Sequence, residues 1–200
     1  MRWDNLFDDL ESQLEREVTA EELDVGVEEE RLRLSRLSLR DRLQAIRDAP
    51  APADRELTLT LLTAARLRVR PVAIGRDWLS GDIVDDSARR AQCIVPLSAI
   101  AGVSVAERQV SGSLRAIAAQ PEKLPPLSAR LGIAFVLRDL CRRRHPLEFT
   151  LTTGGLHGTI DRVGRDHIDV AVHEPGIPRR SSLVSEYRVV PLDQVILVTI

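Results

Sequence analysis

Two hundred residues with 44% hydrophobic and 3% aromatic content can build a core, but one made of Leu, Val, Ile and Ala rather than of rings. No apolar run approaches the roughly eighteen residues of a membrane span, and the opening Met1-Arg2-Trp3-Asp4 lacks the basic-then-apolar order of a signal peptide; the expectation is a cytoplasmic chain with no membrane partner. The net charge of −2 conceals an asymmetry: residues 1–30 hold twelve acids and two bases, a balance of −10, and residues 31–200 a balance of +8.

Trp3, Leu6, Phe7, Leu10, Leu14 and Val18 recur at steps of three and four, the spacing of one helix face. Acids fill the opposite face. Trp3, Leu6, Phe7 and Leu10 form a candidate apolar interface, because so large a cluster needs a cover. Gly26 marks a break, and a second helix is expected over 27–47. Its Leu32, Leu39, Leu43 and Ile46 form one stripe. Leu34 and Leu37 point nearly the other way, a second candidate interface. Residues 1–48 thus read as an acidic helical segment.

Ala49-Pro50-Ala51-Pro52-Ala53 is a stiff linker. Leu57, Leu59 and Leu61 then alternate with Thr58 and Thr60, the period-two mark of a strand with one wet face. Strands are expected near 57–63, 66–74, 77–84, 91–96 and 99–105. Pro71 inside the second predicts an edge or a bulge. The same series returns near 147–153, 156–163, 166–173, 186–191 and 194–200. Gly75-Arg76-Asp77 matches Gly164-Arg165-Asp166, Leu62-Thr63 matches Leu151-Thr152, and Val95-Pro96-Leu97 matches Val190-Pro191-Leu192. A repeat of this kind is one folding unit made twice. The units are 56–105 and 146–200. Between them, 106–145 reads as a loose connector followed by a helix over 127–144 that bridges the two.

Five short strands in about fifty residues suit a small closed β-barrel, which removes its own edges. The stretch Leu151-Thr152-Thr153-Gly154-Gly155-Leu156-His157-Gly158-Thr159-Ile160, followed by Val163, Asp166 and Ile168, resembles the Sm-like fold, which includes the bacterial RNA chaperone Hfq. The resemblance covers each copy and not the helices. It implies an α+β chain with two tandem five-stranded Sm-like barrels. It does not bring the family's RNA site: Asp169 stands where that family has a base-holding Asn, and Tyr187-Arg188-Val189-Val190-Pro191-Leu192 replaces its Arg-Gly motif. The whole chain also resembles an uncharacterised family of actinobacterial proteins of about this length. Those open with a similar Met-Arg-Trp-x-x-Leu-Phe-x-Asp-Leu-Glu stretch and carry two such barrels; the likeness supplies no activity.

The sequence offers no nucleophile elbow, phosphate loop or dinucleotide fingerprint. Cys93 and Cys141 read as small buried apolar residues. His145, His157, His167 and His173 fall in no metal-ligand spacing. No catalytic residue, metal, cofactor or small-molecule substrate is therefore expected, and the chain does not read as an enzyme. Arg89-Arg90 and Arg179-Arg180 occupy matching loops, and Arg142, Arg143 and Arg144 end the predicted connector helix. Each can be solvated charge, or a bidentate grip on a partner's phosphate or carboxylate. The expectation is a non-catalytic interaction or scaffold protein, binding a protein partner or a second copy. The alternative is a nucleic-acid-binding regulator using its basic loops, although few aromatics serve for base stacking.

Overall fold

A computed structural model describes residues 26–85, 91–115, 127–176 and 179–200. The chain forms two compact units, residues 1–38 and 39–200. In the smaller, residues 26–35 are helical (α1). Ser35 turns its hydroxyl onto the Leu32 carbonyl at 2.8 Å, a local bond that competes with helix propagation. The backbone then tightens, with Arg36 N donating to Arg33 O and Leu37 N to Leu34 O. The helix expected over 27–47 is therefore interrupted, and helix α2 (Leu39–Arg47) belongs to the larger unit.

The larger unit carries all ten expected strands: β1 (Leu57–Leu61), β2 (Arg66–Ile74), β3 (Trp78–Ile83), β4 (Gln92–Pro96), β5 (Ile100–Ser104), β6 (Pro146–Leu151), β7 (Gly154–Val163), β8 (His167–Val172), β9 (Glu186–Pro191) and β10 (Val195–Thr199). The two halves are wired identically. Their strand orders are β5-β1-β2-β3-β4 and β10-β6-β7-β8-β9. Even the irregularities recur: β2 shifts register between Pro71 and Ala73, and β7 between Ile160 and Arg162. The bend in β1 against β5 at Thr60/Leu61 returns in β10 against β6, between Val195 and Leu197.

Register corrects one detail of the repeat. Leu59 faces Leu67, and Phe149 faces Leu156. Leu61, not Leu62, is thus the counterpart of Leu151. Leu61 and Leu151 are buried, whereas Leu62 is exposed. The turn after β1 is one residue longer and holds Ala64 at φ 64°. A one-residue slip would put every β1 leucine on the wrong face, so burial decides the alignment.

The expected pair of closed barrels is not what forms. Neither half closes on itself. The ten strands make one open antiparallel sheet, joined at the centre by β4 against β10, with β5 and β9 at its edges. Ile94 faces Val198 and Cys93 faces Thr199, and Gln92 exchanges backbone hydrogen bonds with Ile200. The reason lies in the two joining strands, which are apolar on both faces. Cys93 and Val95 enter the first core, with Leu43, Leu59, Leu79 and Ile196. Ile94 and Trp78 enter the second, with Leu137, Phe149, Ile160 and Val198. Each half lends side chains to the other's core. A strand buried on both sides needs a layer on each, and closure within one half cannot supply the second.

Helices cover each core. Leu43 and Ile46 of α2 seal the first. The helix expected over 127–144 is instead α4 (Leu127–Arg130) and α5 (Ile133–Arg143), and Ile133, Leu137 and Leu140 of α5 seal the second. The interruption is tertiary: Leu131 O accepts from Arg76 N at 3.0 Å and from Trp78 Nε1 at 2.9 Å, and Asp77 Oδ1 accepts from Ile133 N at 2.8 Å. The stretch expected as a loose connector contains helix α3 (Glu107–Leu114) despite Ser111-Gly112-Ser113. Buried Gln109 anchors it, donating to Asp54 O and Glu56 O and accepting from Ala106 N. Those bonds override weak helix propensity.

Candidate functional site

The Gly-Arg-Asp turns show how the halves are locked. The Gly75 carbonyl accepts from Arg40 of α2 at 2.7 Å, and the Gly164 carbonyl from Arg138 of α5 at 3.1 Å. In both, the glycine amide donates to the residue three positions on, Trp78 or His167, at 2.8 Å. A Cβ on Gly75 would lie 2.0 Å from the Trp78 ring, and one on Gly164 2.5 Å from the His167 ring. The motif needs glycine because a ring folds over it. The third residue then diverges. Asp77 reaches the next half and caps α5. The Asp166 carboxyl instead bonds its neighbour, His167 Nδ1, at 2.8 Å. That bond holds the exposed Asp166 carboxyl below its ordinary range.

The sheet edges diverge in the same way. On the repeat alignment, β9 answers β4 and β5 answers β10. Ile94 in β4 is 2% exposed, because β10 covers it; its counterpart Val189 in β9 is 64% exposed, and Tyr187 beside it is 63% exposed. Val190, the counterpart of Val95, is buried in its own half's core. At the other edge, Ala101 is exposed where its counterpart Ile196 is fully buried. β5, Ile100-Ala101-Gly102-Val103-Ser104, carries neither charge nor proline, the usual protections of an edge. Beside it an open groove of about 340 Å³ is lined by Leu39, Leu43, Ile46, Ile100, Ala101 and Val103, among others. A second cleft, of about 600 Å³, runs past Asp166, His167, Val189 and Pro191.

Apart from Arg180, the predicted basic contacts form ion pairs within the chain or lie outside the described residues. Arg179 donates to Asp161 at 2.6 Å, and Arg144 binds the same carboxylate at 3.2 Å. Arg142 and Arg143 bind Asp139 at 2.9 and 2.6 Å, and these bonds, Arg143's first, hold the Asp139 carboxyl down. Arg180 is exposed. Arg89 and Arg90 fall outside the described residues, as do Trp3, Leu6, Phe7 and Leu10. Leu34 is 39% exposed and Leu37 half-buried.

His157 and His173 meet edge to face, ring centroids 5.2 Å apart. His173 Nε2 lies 3.0 Å from Thr159 Oγ1. Burial and then His173 lower the His157 pKa. No group of three His, Cys, Asp or Glu side chains suited to a metal occurs among the described residues. Cys93 and Cys141 are free thiols, and burial pushes Cys93 up to about 12. No described helix is long and apolar enough to cross a membrane. Comparison of the chain with protein-family models, curated proteins and solved structures gives no match.

Proposed function

We propose that this chain is a non-catalytic interaction protein of the cytoplasm that engages a protein partner through the open edges of its sheet. The observation that carries the reading is β9, an edge strand presenting Tyr187 and Val189 outward beside backbone that, among the described residues, no second strand pairs. Adding a strand to such an edge gives affinity through main-chain hydrogen bonds and specificity through alternate side chains. The internal ion pairs of Arg142, Arg143, Arg144 and Arg179 favour this over nucleic-acid binding, since those guanidinium groups already have carboxylates.

Affinity capture from the native host, with and without nuclease, tests the proposal. A protein captured with wild type, retained after nuclease and lost with Val189→Arg is the expected result. A nucleic acid captured equally by both forms would overturn it.

A further inference from the structure

We infer that the groove between α2 and β5 takes an extended segment of a partner protein in which an aliphatic and an acidic side chain stand two positions apart. The inference rests on the proposed function and gives the chemistry of the segment taken at the second open edge.

The two halves supply the comparison. Arg40 of α2 and Arg138 of α5 make the same bond, to the carbonyls of Gly75 and Gly164, and so align the two helices. Leu39 then answers Leu137, and Arg42 answers Leu140. Leu137 and Leu140 are 0% and 8% exposed, in the second core with Ile94 and Trp78. Leu39 is 43% exposed and lines the open groove with Arg42, Leu43, Ile100 and Val103. It is an apolar position whose cover is missing among the described residues.

Arg42 sets the chemistry of that cover. Its Nη2 donates to Ser113 Oγ at 3.1 Å, and among the described residues no carboxylate pairs with it. A guanidinium presents several N–H donors and makes its strongest contact with a carboxylate, through two parallel bonds. Leu39 and Arg42 stand one helical turn apart, a separation of about 5–6 Å between Cβ atoms. Alternate side chains of an extended segment are about 7 Å apart, so one such pair spans both. The backbone of the segment lies along β5, which carries neither charge nor proline and has β1 as its one described strand neighbour. Main-chain bonds then supply affinity and the alternate side chains specificity. The segment belongs to another protein: on β9, the face that answers Ile94 carries Tyr187, Val189 and Pro191 and no acid.

Fluorescence anisotropy of the full chain tests the inference. The probes are short blocked threonine peptides carrying an isoleucine and, two positions away, a glutamate or a glutamine. The glutamate peptide should bind, and the glutamine peptide about tenfold more weakly, through loss of the charge-assisted contact. Arg42→Ala should lower affinity for the glutamate peptide by the same factor and leave the glutamine peptide unmoved. A merely structural role for Arg42 does not produce that coupling. A second variant, Arg42→Glu, with its fold checked by circular dichroism, should prefer a lysine peptide. No binding of either peptide, equal binding of both, or an Arg42→Glu chain that still prefers glutamate would overturn the inference. So would a wild-type oligomer that Leu39→Arg disperses, since the cover would then be a second copy. Capture from the native host separates the two readings. A protein lost with Val189→Arg but kept by Arg42→Glu would overturn the inference and leave the proposed function standing. A protein lost with neither would sink both.

Discussion

The two halves of the sheet share strand order, bulges and helix cover, yet one boundary is dry and the other wet. Between β4 and β10, Ile94 is 2% exposed; at β9, the equivalent Val189 is 64% exposed. The same backbone position is core in one half, where β10 covers it, and surface in the other, where no described strand does. Burial here is a property of the repeat's neighbour more than of the repeat.

Substitution at the paired positions should expose the contrast most strongly. Ile94→Ala should cost about 3 kcal/mol in denaturant unfolding, through lost transfer energy and a cavity in the second core. Val189→Ala should cost under about 0.5 kcal/mol. Equal costs would remove the distinction between the boundaries.

A second test uses a swap that the protein already contains. Val69 and Gly81 of the first half correspond to Gly158 and Val170 of the second. A Cβ on Gly81 would lie 2.5 Å from Arg70 O and 2.7 Å from Val69 Cγ2; one on Gly158 would lie 2.4 Å from Ala171 O and 2.8 Å from Val170 Cγ1. The bent hairpin holds one valine at this crossing, on either strand. Gly81→Val should destabilise by about 2 kcal/mol through overpacking. Adding Val69→Gly should recover most of that loss, a positive coupling in a double-mutant cycle. Additive losses would show that the halves are not interchangeable there.

The Asp residues of the repeated turns offer a smaller comparison. Asp77→Ala removes a helix cap and should cost about 1 kcal/mol. Asp166→Ala should leave the melting temperature of the chain unchanged. The smallest effect concerns pH. His157 has a lowered pKa in the fold, next to His173 and near Glu148. Its unfolded form binds a proton more readily, so its contribution is present above its ordinary value of 6.5 and declines as the pH falls through the lowered folded value. His157→Gln should flatten stability between pH 7 and acid, read by thermal melts across that range. An unchanged slope would assign it to other groups.

Much of this fold was legible in local pattern. Alternation in Leu57-Thr58-Leu59-Thr60-Leu61 and its later counterparts located the strands, and of the edge or bulge that Pro71 announced, the register shift between Pro71 and Ala73 is the bulge. Matching Leu-Thr dipeptides misaligned Leu62 with Leu151, because identity was followed where alternation should have decided. Closure could not be read from either copy alone, since the partner of β4 lies a hundred residues away. The signal lay in composition: Cys93-Ile94-Val95 and Val195-Ile196-Leu197-Val198 are apolar without alternation, the mark of strands covered on both faces. Helix α3 was hidden behind Gly112, because the bonds of Gln109 to Asp54 and Glu56 are long-range. At the candidate site, Tyr187 and Val189 stood out only once Ile94 could be seen buried. Of the basic residues that seemed poised for ligands, Arg142, Arg143, Arg144 and Arg179 were matched with Asp139 and Asp161, carboxylates that sequence distance did not single out.

The central claim is that a covering strand, present at β4 and absent among the described residues at β9, decides burial at the repeated position. Hydrogen exchange followed by mass spectrometry of the free chain tests it most directly. The peptide spanning Gln92–Pro96 should stay protected along its whole length, while the peptide spanning Glu186–Pro191 should lose protection at the amides that β8 does not bond. Equal protection of the two peptides would contradict the account.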